Sequence, residues 1–421
     1  MTSATCPFCG LLCDDLTLER RGDALEAVSG ACPLSRAQLE SVSSPLALDR
    51  RCAVDGDEAT LAEAVDRAAT ILRDARRPMI GGLAVDVEDM RATLTLARQL
   101  GATMDHGGGA AGHLTAQIAR ESGWIRTTLS EARNRTDLWL LIGAGWHTRF
   151  PRFVERVLDA RARIADAASP VRVVLLDDAA ARHADALPEH CERLMLSAAP
   201  DELPLLLSLL SALAANRPVT RTSVGAVDAA RVAHCIEWIR AARYGTVAWC
   251  SAEMQLPHAD LTLQTLARLL RTLNRKGRFA ALPLASPDGG LTANAVHTWQ
   301  TGTPLPASHA NGSVAFDGPR YALDAVLARM EADALLWVSS LSAELRPPGF
   351  AGPVIVLGRC DMKLTPAPRV FIPVATTGID APGVLTRTDD VVSLYLRAAR
   401  ERHLPAAAAV LGMMSERIAA V

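Results

Sequence analysis

Four cysteines near the N-terminus carry the clearest chemical signal in this chain. Cys6, Cys9 and Cys13 stand in C-P-F-C-G-L-L-C, with two and then three residues between them, and Cys32 follows after eighteen more. Four thiolates at this spacing can converge on one inorganic centre. Thiolates are soft donors, so the candidates are an iron–sulfur cluster or zinc. Structural zinc usually shows two C-x-x-C pairs. Here one pair is followed by C-x₃-C and a lone cysteine, which favours a [4Fe–4S] cluster. A vestigial site, empty or disulfide-bonded, is the remaining alternative.

The segments around these cysteines say what must hold them. Residues 1–50 read as a small, loop-rich lobe with a short hairpin, Leu16–Glu19 against Ala24–Val28, turned at Gly22-Asp23. From residue 57 helices and strands alternate. Leu61, Val65, Ala68, Ala69 and Leu72 recur at helical spacing, and Met79–Val85 reads as a buried strand. Further strands are expected at Asp137–Ile142, Val171–Leu176, Leu194–Ser197, Gly245–Cys250, Phe279–Leu284, Ala334–Val338, Val354–Leu357 and Arg369–Val374. Helices are expected between them, among them Val87–Leu100, Arg152–Arg163, Asp201–Ala215, Val227–Arg243, Leu261–Asn274 and Tyr321–Glu331. This alternation predicts an α/β fold with parallel sheets and helices on both faces. Residues 216–226 lose the period and read as a linker. The apolar final helix, Leu404–Ala420, is expected to pack on another subunit.

Composition narrows the function classes. With 421 residues the chain can build two or three domains. A net charge of −2 favours neither nucleic acid nor an acidic membrane surface as partner. No apolar run reaches a membrane-spanning length, and no secretory signal opens the chain. Nine cysteines, four of them clustered, fit a reducing cytoplasm. Cys52, Cys191, Cys235, Cys250 and Cys360 read as small buried hydrophobes.

Other motifs have plainer readings. Gly143-Ala144-Gly145 after a strand could cradle an anion, but it lacks the third glycine of a dinucleotide fingerprint and reads first as a strand-to-helix turn. Gly107–Gly109 and Gly112, flanked by His106 and His113, form a glycine-rich loop without the Lys-Ser or Lys-Thr of a P-loop. Asn294–Thr303 reads as a polar, aromatic loop beside a crevice, with Asp288-Gly289-Gly290 as a turn before it. The pairs Asp177-Asp178 and Asp389-Asp390 read as solvated turn residues. No hydrolase or metalloprotease motif is present.

The arrangement C-x₂-C-x₃-C-x₁₈-C resembles the cluster loop of molybdopterin and tungstopterin oxidoreductases. The fuller wording C-P-F-C-G-L-L-C-D-D at 6–15 resembles the B subunit of formylmethanofuran dehydrogenase. N-A-V-H-T-W-Q-T-G at 294–302 and T-G-I-D-A-P-G-V-L-T-R-T-D-D-V at 377–391 are similar to two further stretches of that family. The resemblance implies a cluster lobe held by Cys6, Cys9, Cys13 and Cys32, followed by Rossmann-like domains that clasp pterin dinucleotides around the metal. The corresponding divisions are a cysteine-rich lobe at 1–56, α/β domains at 57–216 and 217–376, and a C-terminal segment at 377–421.

Active members also carry a cysteine or selenocysteine ligand to tungsten or molybdenum in the loop matching Asp105–His113. Here that loop is D-H-G-G-G-A-A-G-H, and no cysteine occurs between Cys52 and Cys191. Gly and Ala have no donor atom to replace it. The chain therefore looks most like the altered, non-redox B subunit of the bacterial formyltransferase/hydrolase complex of one-carbon metabolism. That implies sister subunits as partners, no catalytic residue in this chain, a [4Fe–4S] cluster as structural staple and no tungsto- or molybdopterin. An active dehydrogenase subunit and an unrelated α/β binding protein with a zinc staple are the alternatives.

Overall fold

The computed structural model describes residues 1–106, 109–159, 170–254, 257–285 and 289–420, with the backbone alone at 109–113. The chain forms two compact units. One joins Met1–Gly109 to Ser286–Val421, and the other is Ala110–Ala285.

The first unit is built on a nine-stranded sheet. Its core is five parallel strands in the spatial order Thr103–Met104, Pro78–Ala84, Ala334–Ser339, Val354–Gly358 and Val370–Pro373. Pro78–Ala84 and Ala334–Ser339 are buried throughout, as expected for strands covered on both faces. The helix Leu61–Asp74 starts at a capping box, in which Thr60 and Glu63 satisfy each other's backbone N–H groups. The helix Val87–Leu100 starts at Asp86 and ends at Gly101, whose φ of 64° is the left-handed turn that glycine adopts without cost. The short strands Cys52–Val54 and Asp57–Ala59 extend the sheet antiparallel beyond Val370–Pro373.

The N-terminal lobe belongs to this unit. It has the three-stranded antiparallel sheet Thr2–Ala4, Leu16–Arg21 and Ala24–Ser29, and the helix Pro33–Val42 capped by Cys32. Long-range arginines fasten it. Arg359 Nε donates to Asp361 Oδ1 at 2.9 Å, and its Nη1 reaches Gln38 Oε1 at 2.7 Å. Ser41 donates back to Asp361 at 2.6 Å. Arg400 pairs with Asp380 at 2.7 Å and donates to the carbonyls of Asp23 and Val42. Arg402 donates to the carbonyls of Ala47 and Leu48.

The second unit is a five-stranded parallel sheet in the order Glu192–Ala198, Arg172–Asp177, Leu138–Ile142, Gly245–Cys250, Phe279–Leu284. The chain enters at the centre, steps outward twice, then returns to the other side. The strand order thus reverses between Leu138–Ile142 and Gly245–Cys250. Helices Leu203–Ala214, Ala229–Ala241 and Ala259–Leu273 contribute to its apolar core.

The expected strands appear within a residue or two, but three expectations are corrected. Residues 216–226 join two halves of one sheet, because Gly245–Cys250 pairs with Leu138–Ile142 across them; the division expected at 216–217 does not separate sheets. The final helix, Ala407–Ala419, buries Ala407, Val410, Leu411 and Met414 in the first unit's own core. Its apolar stripe is therefore spent within the chain and not on a second subunit. The helix expected over 321–331 is two short ones, Gly318–Tyr321 and Leu323–Ala328. Residues 160–163 of the helix expected over 152–163 lie outside the described residues.

Arg400 sets the testable consequence. Removing it strands Asp380 as a buried carboxylate and frees two carbonyls of the lobe. Arg400→Ala is expected to cost about 3–5 kcal/mol of stability. Guanidinium denaturation should show it, and loss of less than about 1 kcal/mol would show that the pair does not hold the lobe.

Candidate functional site

The cysteine loop is tight. Cys6 N–H donates to the Cys13 carbonyl at 2.8 Å, and Leu12 N–H donates to the Cys9 carbonyl at 3.3 Å. Leu12 takes a left-handed φ of 50°. Its side chain lies in an apolar cluster with Ala84, Leu341, Leu385 and Leu396. Ala84 and Leu341 sit at the carboxyl ends of Pro78–Ala84 and Ala334–Ser339, where the first unit's strand order reverses. A side chain at Gly10 would collide with Thr388, whose N–H donates to the Gly10 carbonyl at 2.7 Å. The segment after the strand Gly383–Thr386 thus lies on the loop.

Cys6, Cys9 and Cys13 are buried and Cys32 is half-buried. Cys32 caps its helix, its Sγ accepting from Ser35 N–H at 3.5 Å. Burial pushes the Cys9 thiol far up, and the neighbouring thiols of Cys6, Cys13 and Cys32 push it the same way. Cys6, Cys13 and Cys32 thus all lie near enough to Cys9 to act on it electrostatically. Among the described residues, no three His, Cys, Asp or Glu side chains converge on a position for one metal ion. A four-iron cluster spreads its thiolates over four corners, wider than a single ion does. Three buried thiols and the half-buried Cys32 are soft donors of the kind that chemistry uses.

At the corresponding edge of the second unit stands the turn Gly143-Ala144-Gly145. Gly143 N–H donates to both oxygens of Asp177, at 3.2 and 3.0 Å. Gly145 N–H donates to Glu253 Oε2 at 2.7 Å. Asp177 is not the solvated turn residue expected: it is 5% exposed and also caps the helix after it through Ala180 N–H. Burial raises its carboxyl pKa, against the hydrogen bonds from Ala180 and Gly143. Asp389 is corrected likewise: it is buried against Arg387, with an Nη2–Oδ2 distance of 2.6 Å.

The stretch 294–303 is also not the loop expected. Gly290–Thr301 is a helix, with Trp299 62% exposed and His297 fully buried. Asn294 and His297 hold the following turn, through Leu305 N–H to Asn294 Oδ1 at 2.9 Å and His297 Nδ1 to the Thr303 carbonyl at 2.7 Å. His297 Nε2 lies 3.1 Å from His309 Nε2. The carbonyl fixes the proton on His297 Nδ1, so His309 donates from Nε2. His309 Nδ1 is then a buried acceptor without a partner. Asp105 is structural, accepting from Leu323 N–H at 2.8 Å. Gly107, Gly108 and Asp288 lie outside the described residues, as does the His113 side chain.

No family model matches the chain. The B subunit of the formyltransferase/hydrolase complex Fhc of Methylorubrum extorquens is 27% identical over 377 residues, covering 87% of this chain and 97% of that protein. The chain resembles the formylmethanofuran dehydrogenase B subunits. The B subunit of a tungsten-containing formylmethanofuran dehydrogenase 2 of Methanocaldococcus jannaschii is 21% identical over 402 residues, covering 92% of this chain and 91% of that one. Among solved structures, a chain of the Methylorubrum extorquens FhcABCD complex with methylofuran matches with a TM-score of 0.73 at 25% identity, over 88% of this chain and 99% of that one. Acetylene hydratase of Pelobacter acetylenicus matches in fold, with a TM-score of 0.66 at 11% identity, over all of this chain and 69% of that one. The fold is the α/β fold expected from the sequence, of molybdopterin oxidoreductase type.

Within that fold the histidine pair gives a pH prediction. Burial depresses both residues, His309 to about 4, helped by His297 and Arg98. The unfolded chain takes these protons near pH 6.5, so between about 4 and 6.5 it binds more protons than the folded one. Stability from the neutral pair is present above that window and is lost as pH falls. Asp89, raised to about 7 by burial and Asp86, works in the opposite sense, so the comparison must be with a variant. From pH 7.5 to 5 the wild type should lose about 2 kcal/mol more than His309→Gln in urea denaturation. Parallel profiles would mean that the pair does not titrate as described.

Proposed function

We propose that this chain is the architectural, redox-inactive B subunit of a formyltransferase/hydrolase complex, serving tetrahydromethanopterin-linked conversion of formaldehyde to formate. One observation carries the reading: the chain aligns with 97% of the Methylorubrum extorquens protein, yet no cysteine lies between Cys52 and Cys191. Active members of the family that the sequence resembles carry a cysteine or selenocysteine ligand in the loop matching Asp105–His113, and no side chain of that loop here is a soft donor. Formyl transfer and hydrolysis then belong to sister subunits, and this chain supplies surface and rigidity in the cytoplasm of a methylotroph.

Cys6, Cys9, Cys13 and Cys32 are the residues that would hold a [4Fe–4S] cluster. Its role here would be structural: it would cross-link a lobe of about fifty residues that has little core of its own. Arg359, Arg400 and Arg402 fasten the same lobe from outside.

The chain, tagged in its native host, should co-purify with sister subunits that transfer and hydrolyse formyl groups. The purified complex should reduce no viologen dye with a formylated furan substrate. Dye reduction that follows this chain would support the active-dehydrogenase reading instead. Recovery of the chain alone would contradict a subunit role.

A further inference from the structure

In an open parallel sheet, ligands bind outside the carboxyl ends of the strands, at the point where strand order reverses. In the second unit that point lies between Leu138–Ile142 and Gly245–Cys250. The turn Gly143-Ala144-Gly145 stands there, with two glycines whose backbone N–H groups meet carboxylates. Gly143 has a φ of 74°, and a side chain on it would run into the Glu253 carboxylate. Such a turn is built to meet a negative group closely.

We propose that Asp177 and Glu253 are built-in anions that take the place of a ligand phosphate on this turn, and that they close the second unit's crevice to nucleotides. The two carboxylates come from opposite sides of the reversal. Asp177 ends the strand Arg172–Asp177, and Glu253 follows Gly245–Cys250. Each covers a different glycine N–H, at 3.0 Å for Gly143 and 2.7 Å for Gly145. Charge-assisted bonds from backbone N–H to carboxylate are what a bound phosphate would otherwise receive. A phosphate entering here would lose those amides and face two carboxylates. The crevice does not fit the pterin dinucleotide that the fold family implies, and the reason is the chain's own side chains. This goes beyond the missing thiolate: it concerns the nucleotide end of the ligand, and it stands whether or not the complex assignment holds.

The test uses the full chain, with inorganic pyrophosphate and GDP as probes and hydrogen exchange of the 143–149 backbone as readout. In the wild type neither probe should change exchange or melting temperature. Glu253→Ala should exchange about tenfold faster or more at this turn, and pyrophosphate should slow it again. Glu253→Gln keeps an acceptor without the charge and should fall between; it decides the matter if the alanine variant does not fold. Three results would overturn the proposal: protection of the wild type by GDP or pyrophosphate, unchanged exchange in both variants, or faster exchange that no anion reverses. The last would make Glu253 a structural cap only. Sister subunits take no part in the measurement, so its failure leaves the complex assignment to be judged separately.

Discussion

Two buried arginines decide whether the N-terminal lobe has a place in the fold. The side chains of Arg359 and Arg400 are 1% and 0% exposed, and each is paired with an equally buried aspartate. A buried ion pair is a weak source of net stability, because both charges lose their water. Its strength lies in specificity: each remaining guanidinium N–H must find an acceptor, and apart from the Leu341 carbonyl the acceptors here belong to the lobe. Gln38, Asp23 and Val42 complete the arginines' bonding. The lobe cannot shift without leaving guanidinium N–H groups and Asp361 short of hydrogen-bond partners. The cysteine loop is thereby pressed over the carboxyl edge of the first sheet, with Leu12 in its apolar cluster.

The two units treat their strand-order reversals in different ways. In the first, the cysteine loop and Gly289 lie against the edge; a side chain at Gly289 would strike Leu341 at 2.7 Å. In the second, carboxylates satisfy the buried amides of Gly143 and Gly145. Both solutions follow from the same requirement that buried backbone groups be paired.

Much of this is legible in the sequence, and the exceptions have a common cause. Apolar runs such as Leu138–Ile142 and Ala334–Ser339 declare themselves because buried parallel strands have no polar face. The cysteine spacing announces a shared site because its members are close in the chain. What is illegible depends on distant partners. Glu253 and Gly145 are 108 residues apart, and nothing local marks that glutamate. Asp177 looks like a solvated turn residue because its two glycine-turn contacts come from another strand. Gly290–Thr301 reads as a loop because Thr, Asn, His and Gln dominate it, yet its apolar side is packed and His297 is enclosed by His309 from a later segment. The final helix looks free for a partner because its apolar stripe gives no hint that two earlier helices, Leu61–Asp74 and Val87–Leu100, already cover it.

Elemental analysis of the natively purified complex for iron, zinc, molybdenum and tungsten tests the central claim most directly. A cluster-stapled scaffold should show about four irons per copy of this chain, as one four-iron cluster requires, with neither molybdenum nor tungsten. Molybdenum or tungsten near one per chain would contradict it, and would mean that a redox site survives with a ligand other than the cysteine this sequence lacks.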